Sequence, residues 1–224
     1  MVIKSPVIML NVKAYSESMG EKGLLLAKAC QEVTEETGVS TAICPQQVDL
    51  SWIARQVDIP VLAQHVDAFS PGSSTGWTVL DAVKASGAVG TLVNHSEHRM
   101  KIADIESVVA EANKLGLVTV VCTNNISVSS AAAALGPTMI AIEPPELIGS
   151  GIPVSKANPG IVEESVCAVK DVSADVTVLC GAGISKGEDV KAALELGTEG
   201  VLLASGVVKA ENPKEVLLDL ASGI

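Results

Sequence analysis

The length of 224 residues allows one large domain or two small ones, and an apolar content of 48% is enough to fill a sizeable core. Aromatic residues make up only 2% of the chain, so this core must consist of Val, Ile, Leu and Ala. Acidic residues outnumber basic ones by 26 to 15, and the resulting net charge of −11, without a basic run, argues against nucleic acid as a partner.

The five cysteines lie far apart and form no Cys-x-x-Cys motif, which is typical of reduced thiols and not of a disulfide framework. The stretch from Met1 to Pro6 does not resemble a signal peptide. No apolar run reaches the roughly 18 residues that span a membrane. We therefore expect a cytoplasmic protein that has no membrane partner.

Short apolar runs recur along the chain, and each is followed by turn residues and then by an amphipathic stretch. The runs that predict strands are Val7–Leu10, Thr41–Cys44, Val61–Ala63, Gly90–Val93, Val118–Cys122, Met139–Ile142, Val176–Cys180 and Val201–Leu203. The stretches that predict helices are Glu17–Thr37, Gln46–Gln56, Val79–Ser86, Ile102–Leu115, Val128–Leu135, Val162–Val172, Asp189–Leu196 and Pro213–Leu220. Because the strands are apolar throughout, without alternation, they predict a parallel sheet that is buried on both faces.

Eight strand–helix units predict one α/β domain over residues 1–224, folded as a (β/α)8 barrel with eight parallel strands. Several of the predicted helices end at glycine, which is typical of helix termini. An open doubly wound sheet is the competing architecture. It usually needs fewer strands, and no Gly-x-Gly-x-x-Gly motif follows the first strand here.

Candidate functional residues are expected at the carboxyl ends of the strands, where barrels of this kind place their active sites. Asn11 and Lys13 follow the first strand two residues apart, so they share one face of the strand end. A lysine that points inward there loses solvation unless it meets an anion, which indicates an anionic ligand. The alternative is an exposed lysine beside a polar neighbour.

The fourth strand is followed by His95, Ser96 and Glu97, and the last two favour the first turn of a helix. An imidazole that faces a helix N-terminus is held neutral and can donate a hydrogen bond to a carbonyl oxygen. The alternative is a histidine that only caps this turn.

Glu143 closes the sixth strand and is followed by Pro144-Pro145 and then by Gly149-Ser150-Gly151. The prolines make a stiff arm, and the glycines supply free dihedral angles at the other end of the loop. This pattern favours a carboxylate base beneath a moving lid. The alternative is a solvated glutamate at an ordinary turn.

Small-residue turns follow the last two strands, namely Gly181-Ala182-Gly183 with Ser185, and Ala204-Ser205-Gly206. Glycine lets backbone N–H groups approach a phosphate closely, and a helix that starts there adds its dipole. Because barrel phosphate sites recur at these two adjacent strands, the two turns together indicate a phosphate-binding site.

Other residues that could carry chemistry are interpreted as structural. His65 lies near Asp67, but neither it nor His98 has the further ligand spacing that a metal site requires. Three cysteines lie in or at the ends of strands without an evident base, and we expect them to be small core residues: Cys44, Cys122 and Cys180.

Taken together, these residues resemble the triosephosphate isomerase family. The matching motifs, in family order along the chain, are Asn11-Val12-Lys13, Asn94–Arg99, Glu143-Pro144 with the lid to Gly151, and the two glycine turns. The short chain and the Pro-Pro-Glu sequence of the lid resemble the compact archaeal-type branch. The loop after strand 3 departs from the family pattern, because Trp77 stands where a glutamate is common.

The resemblance implies interconversion of dihydroxyacetone phosphate and D-glyceraldehyde 3-phosphate through an enediolate, in glycolysis and gluconeogenesis. Glu143 would be the base, neutral His95 would polarise the carbonyl, and Lys13 would offset the negative charge. The residues implied to bind the substrate are Asn11, Val12, Lys13, Ile148, Gly149, Gly183, Ala204 and Ser205, and Glu97 would order the region around His95 and Lys13. No cofactor and no metal are implied, and the family suggests a homodimer or homotetramer.

Two other functions stay open at this point. Another phosphosugar enzyme is one of them, but an epimerase would need metal-binding His and Asp at several strand ends, and an aldolase would need a Schiff-base lysine late in the barrel. Neither pattern is present in the sequence. A barrel that binds phosphosugars without turnover is the other, and it is disfavoured because a base, an electrophile and a cation are all present.

Overall fold

The structure is a computed structural model that describes residues 2–144 and 159–224. Its strands are β1 (Val7–Asn11), β2 (Ser40–Cys44), β3 (Leu62–Ala63), β4 (Gly90–Val93), β5 (Val118–Thr123), β6 (Met139–Ile142), β7 (Thr177–Cys180) and β8 (Gly200–Leu203). The helices described are α1 (Glu21–Thr37), α2 (Leu50–Ala54), α3 (Leu80–Ser86), α4 (Ile102–Leu115), α5 (Ile126–Ala133), α6 (Pro159–Val172), α7 (Gly187–Glu195), α8 (Ser205–Val208) and α9 (Pro213–Ala221).

The eight strands form one parallel sheet in the order β2-β1-β8-β7-β6-β5-β4-β3. Its two edges meet, because Ile43 of β2 forms a parallel bridge with Val61, just before β3. The Ile43 N–H also donates to the carbonyl of Pro60 at 3.0 Å. This contact closes the sheet, and the predicted (β/α)8 barrel is confirmed.

Side chains alternate along each strand between the barrel interior and the layer beneath the helices. The interior is a compact cluster of strand residues: Val7, Met9, Ala42, Cys44, Leu62, Leu92, Val120, Cys122, Met139, Ala141, Leu179 and Leu202. The intervening strand residues, such as Ile8, Leu10 and Ile43, join helix residues in a larger outer cluster. Both faces of the strands are therefore buried, as their continuous apolar sequences predict.

Most of the predicted helices are confirmed, with shifted boundaries. The first predicted helix is divided into a 3-10 turn over Ser16–Ser18 and α1, because Gly20 between them has a φ of 57°. The second is divided in the same way into a 3-10 turn over Gln47–Asp49 and α2. The short helix α8 was not predicted, and it starts inside the small-residue turn after β8.

Glycines end several helices, as predicted. Gly38, Gly87 and Gly116 follow α1, α3 and α4 with φ angles of 76°, 95° and 70°, a left-handed conformation that favours glycine. Within the two described ranges, no helix is both long and apolar enough to cross a membrane.

Candidate active site

Seven of the predicted site residues come together at the carboxyl ends of the strands and line one cavity: Asn11, Lys13, His95, Glu143, Gly183, Ala204 and Ser205. Several residues of this cavity continue the interior rows of the barrel, because each lies two positions after an interior apolar residue of the same strand. These residues are Asn11, Glu143, Gly181 and Ala204, which follow Met9, Ala141, Leu179 and Leu202. The cavity therefore lies at the carboxyl end of the barrel, directly next to its packed interior.

The first wall of the cavity is the loop after β1. Lys13 has a φ of 49°, which is uncommon for a residue with a side chain. Its N–H donates to Oδ1 of Asn11 at 3.0 Å, and its carbonyl accepts from the Gln64 amide at 2.9 Å. Its ammonium group forms a 2.9 Å ion pair with Glu97. Backbone and side chain of Lys13 are therefore both held in place by contacts within the chain.

His95 lies in a tight turn after β4, in which the His98 N–H donates to the His95 carbonyl at 2.8 Å. The Glu97 N–H donates to Nδ1 of the ring at 3.2 Å, whereas the Glu97 carboxylate is farther from Nδ1, at 3.6 Å. Because Nδ1 accepts a hydrogen bond, the proton of a neutral ring belongs on Nε2. This arrangement supports the prediction of a neutral imidazole.

The group that faces the His95 ring differs from the predicted helix N-terminus. The turn at Ser96 and Glu97 does not continue as a helix, and α4 begins only at Ile102. The backbone N–H of one turn, and not a helix terminus, therefore faces the imidazole.

The turn that carries His95 is fixed by Asn94, whose φ is 60°. Its Oδ1 accepts from the Met100 N–H at 2.9 Å, and its Nδ2 donates to the Cys122 carbonyl at 2.9 Å. Arg99 donates to the Asn94 carbonyl at 2.9 Å. These supporting roles were missed from the sequence, although asparagine is one of the few residues that tolerate a left-handed backbone.

Glu143 is the most buried charged group of the cavity, with only 2% of its surface exposed. Its Oε1 lies 3.2 Å from Nε2 of His95. Its Oε2 is buried and has no hydrogen-bond partner among the described residues. Leaving such an acceptor unpaired costs free energy, so this oxygen is available for a proton from a ligand.

Cys122 lies inside the barrel near Glu143. Burial raises the pKa of its thiol well above the ordinary value, and the negative charge of Glu143 raises this pKa further. The thiol is therefore neutral. The prediction that Cys44, Cys122 and Cys180 are core residues is confirmed by their full burial, but the proximity of Cys122 to Glu143 was not foreseen.

A second wall, next to the loop after β1 because β1 pairs with β8, consists of the two small-residue turns. The backbone N–H groups of Gly183, Ser205 and Gly206 donate to no other described residue, and all three residues line the cavity. The first turn is fixed by Asp189, which accepts from the Ser185 N–H at 3.1 Å. Backbone N–H groups that line one cavity and have no partner among the described residues favour an anion such as phosphate.

Not every predicted site residue lies in the cavity. Val12 is fully buried in the outer core and does not line it, and its N–H donates to the Cys44 carbonyl at 3.1 Å. The predicted Ile148 and Gly149, and the lid from Pro145 to Gly151, fall outside the described residues. Tyr15 lines the cavity and was not predicted.

Gly181 has a role that the sequence did not reveal. A Cβ atom at this position would lie 2.6 Å from Cγ of Glu143 and 3.0 Å from the Ile142 carbonyl. The absence of a side chain at Gly181 therefore provides the space that the Glu143 side chain occupies.

His65 and His98 lie beside the site, with their rings stacked at a centroid distance of 3.7 Å. Asp67 is 3.2 Å from Nε2 of His65. Burial lowers the pKa of His65, which favours the neutral ring. Over the described part of the chain, no group of three or more His, Cys, Asp or Glu side chains is arranged to hold a metal ion.

Comparison with known proteins identifies the family. The family model described as Triosephosphate isomerase matches residues 6–222. The chain belongs to the triosephosphate isomerase family.

Similar triosephosphate isomerases come from methanogenic archaea. That of Methanocaldococcus jannaschii is 59% identical over 96% of this chain and 98% of its own length. Those of Methanothermus fervidus and Methanosarcina acetivorans are 57% and 53% identical, each over 96% of this chain and 97% of its own length. The predicted resemblance to the archaeal-type branch is confirmed.

The space at Gly181 yields a first prediction. In Gly181→Ala the new methyl group must displace the Glu143 carboxylate, and a misplacement of about 1 Å can lower turnover on the order of 10²-fold. We expect kcat for triose phosphate isomerisation to fall with little change in KM. The matched control is Gly72→Ala, where the nearest atom to the new Cβ is 3.9 Å away. Equal kcat values for the two variants would contradict this role of Gly181.

Proposed function

We propose that this cavity interconverts dihydroxyacetone phosphate and D-glyceraldehyde 3-phosphate, a step of glycolysis and gluconeogenesis. The observation that carries the proposal is the buried Glu143 carboxylate, 3.2 Å from Nε2 of His95, in a cavity that also contains Lys13. A base, a neutral hydrogen-bond donor and a cation thus face the same small space.

In the proposed reaction, Glu143 removes a proton from the carbon beside the carbonyl group, and Nε2–H of His95 donates to the carbonyl oxygen. The resulting enediolate regains a proton on the neighbouring carbon, and the oxygen-bound proton moves through His95. Atoms and electrons balance within the substrate, so no oxidant or reductant takes part. Pairing of a carboxylate base with a neutral imidazole is the accepted scheme for triosephosphate isomerases.

Charge explains the need for Lys13. The net charge of −11 repels a phosphate dianion at long range, so attraction must come from local groups. Lys13 and the free N–H groups of Gly183, Ser205 and Gly206 supply it from two walls of the cavity. Lys13 also lines the same cavity as His95 and Glu143, which places its charge near the enediolate of the proposed reaction.

A barrel that only binds phosphosugars is the rival function. Such a protein would gain nothing from a buried carboxylate beside the ligand, because burial of Glu143 costs free energy and its charge repels phosphate. Glu143 therefore favours turnover over binding alone.

We also propose that residues 1–224 form one domain that acts as a homodimer or homotetramer in the cytoplasm. The rings of Phe69 and Trp77 lie 4.7 Å apart on the loop after β3, and about half of each side chain is exposed. An exposed aromatic pair of this kind is typical of protein interfaces. All five cysteines are free thiols, which is typical of reducing compartments.

Shortening the base tests its role. Glu143→Asp keeps the charge but withdraws the carboxylate by one methylene group, and we expect kcat to fall on the order of 10²-fold with a small change in KM. Steady-state kinetics in both directions measures the effect, with Glu111→Asp on the surface of α4 as the control. Turnover near that of the unmodified protein would remove Glu143 from the role of base.

Removing the cation tests substrate attraction. Lys13→Met keeps most of the side-chain length and deletes the charge, so a phosphate-bearing substrate analogue should bind at least about tenfold more weakly. Calorimetric titration measures this affinity. Lys114→Met, which deletes a charge from an exposed ion pair on α4, is the control. If both variants bind equally well, Lys13 does not contact the phosphate.

The proposed interface is tested by mass in solution. We expect the unmodified protein to sediment as a dimer or tetramer, and the double variant Phe69→Ser/Trp77→Ser to shift toward the monomer, because the apolar contact is lost. Circular dichroism checks that the barrel is intact. A monomeric unmodified protein, or a variant of unchanged mass, would contradict this interface.

A further inference from the structure

We propose that Tyr15 and Lys209 form a clasp between two walls of the cavity, and that this clasp positions Lys13 against the turn that holds the phosphate. Tyr15 lies on the loop after β1 and Lys209 directly after α8. The inference rests on the proposed function, because it assigns the two residues a positioning role in substrate binding. Neither residue is placed among the catalytic groups.

The contact itself is a cation–π interaction. The Lys209 ammonium lies 4.5 Å from the centroid of the Tyr15 ring, within the range of about 6 Å over which such contacts attract. Tyr15 is partly buried, packs against the outer core and lines the cavity. Lys209 is exposed, so its ammonium covers the ring from the solvent side.

Tyr15 is firmly attached to the loop that carries Lys13. Its carbonyl accepts from the Ser18 N–H at 3.0 Å and lies 2.8 Å from the Ser18 hydroxyl. The same hydroxyl is 3.1 Å from the carbonyl of Val12, and Ser18 is fully buried. The backbone of Tyr15 is therefore held to the backbone at Val12, next to Lys13.

Lys209 is held in the same way to the turn after β8, which neighbours the loop after β1 because the two strands are paired. Its N–H donates to the Ser205 carbonyl at 3.1 Å, within one turn of the free N–H groups of Ser205 and Gly206. The Val208 N–H donates in turn to the Ala204 carbonyl at 3.0 Å. Lys209 is thus joined through one short helix to the turn that lines the cavity.

The charge of Lys209 also acts on the same loop. The pKa of Glu17 is lowered first by the hydrogen bond from Ser16, and the positive charge of Lys209 lowers it further. The clasp sets the separation between the Lys13 ammonium and the N–H groups of Ser205 and Gly206, which would grip one phosphate from two sides.

The rival explanation is that Lys209 only attracts the phosphate through its charge. The two explanations differ in what Tyr15 does, because a clasp needs an aromatic ring and simple attraction does not. The two explanations also predict different results for the double variant. If Tyr15 and Lys209 act through one contact, replacing both has no more effect than replacing either one.

The experiment is a double-mutant cycle with Tyr15→Leu, Lys209→Met and the combination of both. For each protein we would measure kcat, KM and, by calorimetry, the dissociation constant of inorganic phosphate. We expect each single variant to raise KM and the phosphate dissociation constant about threefold to tenfold, with little change in kcat, and the double variant to match the single ones. Tyr15→Phe and Lys209→Arg keep the contact and should behave like the unmodified protein.

Lys114→Met serves as the control for loss of one positive charge far from the cavity. The clasp is overturned if the two effects add fully, if Tyr15→Leu has no effect while Lys209→Met weakens binding, or if Tyr15→Phe is as damaging as Tyr15→Leu. If Tyr15→Leu does not fold, Tyr15→Met replaces it in the cycle as a second variant that removes the aromatic ring. Lack of isomerase activity in the unmodified protein would instead overturn the proposed function, and phosphate binding would still test the clasp.

Discussion

Alternation of side chains along the closed strands is the constraint on which the rest of this structure depends. In a closed parallel barrel, every second residue of a strand must fill the interior, and here Met9, Ala141 and Leu179 do so. The next interior position at each carboxyl end lies on top of this packed layer, with no solvent beneath it. Polar groups placed there, above all Glu143, are consequently buried and must be stabilised by one another or by a ligand.

Because Glu143 is buried, the residues around it must accommodate its carboxylate. One oxygen is paired with His95, whose tautomer is set in turn by the Glu97 N–H. Gly181 leaves room for the side chain, and Cys122 adds a neutral neighbour. The second oxygen has no hydrogen-bond partner among the described residues, an arrangement that burial makes unfavourable and that a proton from a ligand would relieve. Burial of an incompletely paired carboxylate destabilises the fold, which favours a catalytic role for Glu143 over a structural one.

The strands and the main site residues could be predicted because their signals are local: apolar runs mark the strands, and polar residues at their ends mark the site. Contacts between distant segments could not be predicted in this way. The space at Gly181 depends on a side chain from the neighbouring strand, and the contact of Tyr15 with Lys209 joins residues near the two ends of the chain. The prediction that the turn at Ser96 begins a helix was wrong. The Asn94 side chain accepts a hydrogen bond from the Met100 N–H, and α4 begins only at Ile102.

Glu97 couples the two charged sides of the site, since its backbone orients His95 and its carboxylate pairs with Lys13. The side chain of Glu97 is 57% exposed, whereas that of Lys13 is only 16% exposed. An ion pair with one solvated partner contributes little free energy, about 0–1 kcal/mol, so it fixes the direction of Lys13 without neutralising its charge. An anion can therefore compete for the ammonium group at small cost. In a protein with a net charge of −11, a cation that is oriented but still available favours the binding of an anion.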